Sequence, residues 1–116
     1  MRIFRLFTGP DQQSHIEEIK FDFKPVPNGV QGPTQNAKGV YFARSEPGAF
    51  IDWHPAPRRQ YVITLSGAVE IGLGDGTFHR FGPGEGLLAE DLTGQGHTTR
   101  SVGPEPRCTM VVPLAD

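Results

Sequence analysis

Glycine or proline interrupts this chain every few residues, and no segment keeps a 3.6-residue apolar rhythm long enough to make a helix. Fifteen glycines and eleven prolines are spread over 116 residues. Proline removes a backbone donor and glycine adds chain entropy, so both end regular elements. Between them lie short runs rich in Val, Ile, Phe, Tyr and Thr, residue types that suit a pleated, half-buried surface. Strands are expected at 2–6, 16–23, 39–46, 49–54, 59–66, 68–73, 77–81, 86–90, 97–102 and 107–112. Many short strands with turns at close intervals predict an all-β sandwich or small barrel with little helix.

The punctuation also sets the layout. "GLGDGTF" supplies a hairpin with Asp75-Gly76 at its turn, and "FGPGEG" at 81–86 a tight turn. Gly72, Gly74 and Gly76 have the look of a phosphate loop, but no helix follows to receive the phosphate. The segment 24–39, "KPVPNGVQGPTQNAKG", reads as a polar loop or lid. No linker or repeat divides the chain. Residues 1–116 are therefore read as one domain, with N-terminal strands in 1–23 and the barrel strands in about 40–112. The core set expected from alternation is Phe4, Ile19, Phe42, Ile51, Tyr61, Ile63, Leu65, Ile71, Phe81, Leu87, Val102 and Val111.

Charge and composition narrow the partners. The formal net charge is −2, dispersed and without a basic block, so nucleic-acid binding is not expected. No stretch approaches twenty apolar residues, so no membrane span is expected. "MRIFRLFTGP" reads as a strand rather than a signal peptide. Cys108 is alone, which rules out an internal disulfide and suits a reducing cytoplasm; it reads as a small apolar filler. What remains is a small-molecule ligand or substrate.

Side chains alternate across a strand. Over 49–54, Phe50, Asp52 and His54 are expected on one face and Ala49, Ile51 and Trp53 on the other. Over 58–65, Arg58, Gln60, Val62 and Thr64 share a face opposite apolar Tyr61, Ile63 and Leu65. His97, Thr99 and Ser101 lie together on 97–102. If these polar faces converge, they ring a pocket inside the barrel; if they diverge, they meet water. Arg58, or Arg59 at the rim, could grip a carboxylate or phosphate, and Thr99 could add a hydroxyl. His15 and His79 read as solvated, and Trp53 and Tyr61 as packing residues.

The spacing resembles that of the cupin superfamily. Gly48 is followed after five residues by His54; Ala56 comes two positions later, Gln60 after three more residues, and Gly67 after another six. The family places His, His and Glu at the positions of His54, Ala56 and Gln60. Gly84 opens the second motif, with Glu90 where proline is expected, and Gly94, two residues and His97 close it after a longer loop. The resemblance covers about residues 40–112 and implies a jelly-roll barrel, or double-stranded β-helix, that forms homodimers. It also implies a mononuclear metal centre, of which His54 and His97 survive as ligands with Gln60 in place of the carboxylate. Ala56 cannot ligate, so a Zn, Ni, Mn or Fe ion would be held weakly; Asp52, with Glu90 second, is the acid nearest in sequence to repair the set.

Three functions remain open on this reading. One is an enzyme of the lyase, isomerase or dioxygenase kind with a weak divalent metal on His54, Gln60 and His97. Another is a metal-free isomerase or dehydratase in which His54 or His97 is the acid/base and Asp52 orients it. The third is a non-catalytic ligand-binding or sensor protein.

Overall fold

The computed structural model describes all 116 residues. It has twelve strands and no helix: β1 (Ile3–Thr8), β2 (Ser14–Glu18), β3 (Lys24–Val26), β4 (Gly29–Gln31), β5 (Tyr41–Ser45), β6 (Phe50–His54), β7 (Gln60–Ser66), β8 (Ala68–Gly72), β9 (Phe78–Phe81), β10 (Gly86–Glu90), β11 (His97–Val102) and β12 (Arg107–Pro113). No helix is long and apolar enough to cross a membrane.

Two sheets face each other. The larger has six strands in the order β2-β1-β10-β7-β12-β5, and the smaller four in the order β6-β11-β8-β9. All neighbours are antiparallel except β1 and β10, which run parallel. The all-β architecture expected from the punctuation is what forms. The segment 24–39 is more ordered than a loop: β3 and β4 pair as a two-stranded ribbon, and Ala37 bridges to Leu114.

Between the sheets, Leu6, Val69, Ile71, Leu73, Phe81 and Leu87 make a buried cluster, with Phe4 and Ile16 packed against it. Phe4 meets Phe81 edge-on, ring centroids 5.5 Å apart. Each such side chain contributes roughly 1.5–3 kcal/mol when fully buried. Ile71, Phe81, Leu87 and Val111 are buried as alternation predicts. Phe42, Ile51 and Leu65 are not, at 68%, 55% and 49% exposed. Phe42 lies on an edge strand, and Leu65 is the extra residue where the β7–β12 register shifts. Ile51 sits at the mouth of the cavity described next.

Candidate active site inside the barrel

A cavity of about 270 Å³ lies between the sheets, near the small end of the range for small-molecule sites. Its wall mixes apolar side chains of the core with His54, Gln60, His97, Thr99, Arg107 and Thr109. Tyr41 on β5 and Ile51 on β6 line it while remaining 42% and 55% exposed, so it opens past these two edge strands.

His54 reaches this cavity through an irregularity in β6. His97 pairs with His54, but Thr99 pairs with Ile51, so two residues of β11 oppose three of β6. The extra residue resets the alternation. Ile51 and His54 both line the cavity, whereas Phe50, Asp52 and Trp53 line a separate outer groove of about 310 Å³. The shared face expected for Phe50, Asp52 and His54 is thus broken by the bulge.

The two imidazoles meet, with ring centroids 4.4 Å apart and planes inclined at 55°. His54 Nδ1 lies 2.7 Å from the Asp52 carbonyl oxygen. A carbonyl only accepts, so this nitrogen carries the proton and Nε2 keeps its lone pair when the ring is neutral. His97 Nδ1 lies 2.6 Å from Asp91 Oδ2 and donates to that carboxylate in the same way. Asp91 is completely buried, accepts a second hydrogen bond from Ser14 Oγ at 2.6 Å, and takes the Ala56 amide on its backbone oxygen. Both rings are therefore held from behind by an acceptor, the arrangement that orients a metal-ligating or proton-transferring histidine.

Gln60 is buried in the cavity wall they share, and its Oε1 has no hydrogen-bond partner. A buried oxygen without a donor is costly unless something outside the chain satisfies it. Ala56 is buried in the same wall. The donor set fits a weak cation: two imidazole Nε2 atoms and one amide oxygen. No group of three or more His, Cys, Asp or Glu comes together anywhere in the chain.

The other residues singled out in the sequence lie elsewhere, Thr99 excepted. The Asp52 carboxylate accepts the Trp53 amide at 2.9 Å on the outer surface, and only its backbone oxygen touches His54. Glu90 does not repair the ligand set, being bound between Arg5 at 2.8 Å and Arg59 at 2.9 Å. Arg59 also holds Asp116, and Arg58 is exposed and absent from the cavity wall. Thr99 lines the cavity. Two residues went unnoticed. Asp91 stands next to Glu90 in a loop where only spacing was read. Arg107 shares a strand face with Thr109 and buried Val111, and that alternation was the available signal.

No protein-family model matches the chain, and no curated protein matches it. Solved structures do. A sugar phosphate isomerase of the cupin superfamily from Silicibacter pomeroyi superposes with a TM-score of 0.53 at 24% identity, over 67% of this chain and 50% of that one. The chain thus spans about half the length of that protein. An uncharacterized protein with a double-stranded β-helix domain from Klebsiella pneumoniae gives 0.51 at 22% identity, over 78% and 81%. CENP-C of Drosophila melanogaster gives 0.53 at 12% identity, over 80% and 79%. At these identities the likeness speaks for the fold. Two facing sheets, the pairing of His54 with His97 across β6 and β11, and these superpositions together give the chain a double-stranded β-helix fold.

Proposed function

We propose that this chain is a cupin that binds a small polar molecule in the barrel and acts on it through the His54–His97 pair. A divalent cation (Zn, Ni, Mn or Fe) is held weakly by His54 Nε2, His97 Nε2 and Gln60 Oε1, in an enzyme of the lyase, isomerase or dioxygenase kind. The observation that carries this reading is the orphaned Gln60 oxygen in a cavity wall shared with two imidazoles whose Nδ1 atoms are both engaged. Such a cation, when bound, supplies Lewis acidity to a substrate oxygen. The chain itself orients both rings, excludes water along the apolar wall, and leaves room at Ala56 where a further ligand would stand.

A second reading draws on Asp91. A carboxylate buried behind His97 Nδ1 stabilises the imidazolium that forms if His97 Nε2 takes a proton, and so makes His97 the base of a metal-free isomerase or dehydratase. We further propose that the chain works in the reducing cytoplasm, as its lone Cys108 suits, and as a homodimer.

Calorimetric titration with Mn, Ni and Zn tests the first reading. The wild type should bind weakly and lose the ion to chelator, and Ala56→His with Gln60→Glu should bind at least a hundredfold more tightly. Equal failure of both proteins to bind any of the three ions would sink the metal reading and leave the acid/base one. A non-catalytic ligand-binding protein would keep ligand binding in His97→Ala with no turnover to lose.

A further inference from the structure

We infer that the barrel takes an anionic ligand, and that Arg107 is the residue that anchors its carboxylate or phosphate group. The inference rests on the reading of the barrel as the binding site and names the ligand class for it. Arg107 is the only Lys, Arg, Asp or Glu among the residues lining the cavity. No carboxylate neutralises it, and its single side-chain partner is Thr64 Oγ1, at a long 3.4 Å from its Nε. The other well-packed arginines of the molecule are paired: Arg5 with Glu17 and Glu90, Arg59 with Glu90 and Asp116. Burial without an acid pushes the Arg107 guanidinium down to about 10, still charged at neutral pH.

A cation sunk into a wall with nothing opposite it destabilises the free protein. A bound anion removes that cost through two parallel N–H···O bonds, which the guanidinium fork is shaped to give. The fold also sets the ligand's length. Thr64, where the guanidinium rests, is four residues along β7 from Gln60, or about 13 Å at the usual rise. Apolar Val62, Leu87 and Val111 line the cavity with them. The ligand that fits has an anionic head at Arg107, a short apolar body, and a polar group at the histidines.

The test uses the full chain with inorganic phosphate, hexanoate and uncharged hexanamide as probes, followed by calorimetry and by the Arg107 Nε–H resonance. Hexanoate or phosphate should bind the wild type, shift that resonance, and bind at least tenfold more weakly to Arg107→Gln. Hexanamide should bind more weakly than hexanoate to the wild type and equally to the variant. Phosphate alone would mark a phosphate ester as the ligand, and hexanoate alone a carboxylic acid. Arg107→Gln should unfold at the same or a higher temperature, because it relieves an unpaired charge. Equal anion binding by both proteins, no binding by the wild type, or an unmoved Nε–H resonance would overturn the inference, the last being readable even if the variant fails to fold. His54→Ala should keep the anion, so failure of the histidine chemistry and failure of the anchor are separable.

Discussion

At the scale of single residues, the site depends on groups that never touch the cavity. Asp91 accepts from both Ser14 Oγ and His97 Nδ1 in a fully buried position. Asp91→Ala leaves two buried donors without an acceptor, and a loss of about 2–4 kcal/mol is expected in urea unfolding. Asp91→Asn keeps one acceptor oxygen and should cost less, while His97 loses its charged partner; a variant as stable as the wild type would mean the bond does not form. Gly96 is equally constrained. It has a φ of +78°, and a Cβ built there would stand 2.0 Å from the His54 carbonyl oxygen. Gly96→Ala therefore forces the two histidine strands apart as well as straining the backbone. It should cost at least about 2 kcal/mol and shift the ring-proton resonances of both His54 and His97. An unmoved His54 would show that the two strands are not held together at this point.

At the scale of elements, turns and bulges decide what the strands present. The β9–β10 turn is closed by Glu85, whose carboxylate accepts the Gly82 amide at 2.7 Å and pairs with Arg2. The Gly82 amide, and then Arg2, hold the Glu85 carboxyl below its ordinary value despite some desolvation. A lowered folded value means that this contribution is fully present above the unfolded pKa near 4.5 and is lost as pH falls through the folded one. Glu85→Gln should thus lower stability by roughly 0.5–1 kcal/mol at pH 7, and the gap should close on acidification below about pH 4. A gap that persists at pH 3 would assign the effect to something other than the charge. Bulges explain why the strands were easier to read than the site. The Gly/Pro spacing marks where strands stop, and His54, Gln60 and His97 lie where their spacing places them, around one cavity. Which way Asp52 points depends on one extra residue in β6, and Leu65 turns out at a similar slip in β7. Nothing local in "FIDWH" or "ITLS" announces a slip, because it is set by the partner strand. The apolar alternation of Tyr61, Ile63 and Leu65 was legible, but it marks the outer face of the large sheet and not the core.

At the scale of the whole molecule, a single copy covers only part of that outer face: Ile3 and Leu88 are buried within the chain, whereas Ile63 and Met110 are half-buried and Phe42 is 68% exposed. Pairing register aligns Ile3, Gly86, Ile63, Met110 and Phe42 in one row across five adjacent strands. At about 4.8 Å per strand the row is about 19 Å long. Leu88, Tyr61 and Val112 form a second apolar row beside it. Arg5 and Arg44 stand at its margins, opposite Leu88 and Cys108. An apolar strip whose rim arginines are ion-paired, Arg5 with Glu17 and Glu90 and Arg44 with Glu46, suits a protein interface, and a strip centred on Ile63 and Met110 can meet its own copy across a two-fold axis. The homodimer that the family resemblance implies is therefore proposed to form through this face. Light scattering of the wild type at micromolar concentration should give twice the 12.7 kDa of one chain. Met110→Glu places a carboxylate at the centre of the strip and should give the monomer mass. Trp53→Ala, on the outer groove of the smaller sheet, should leave the dimer intact. A wild type that is monomeric throughout, or a dimer indifferent to Met110→Glu, would remove this face from the account.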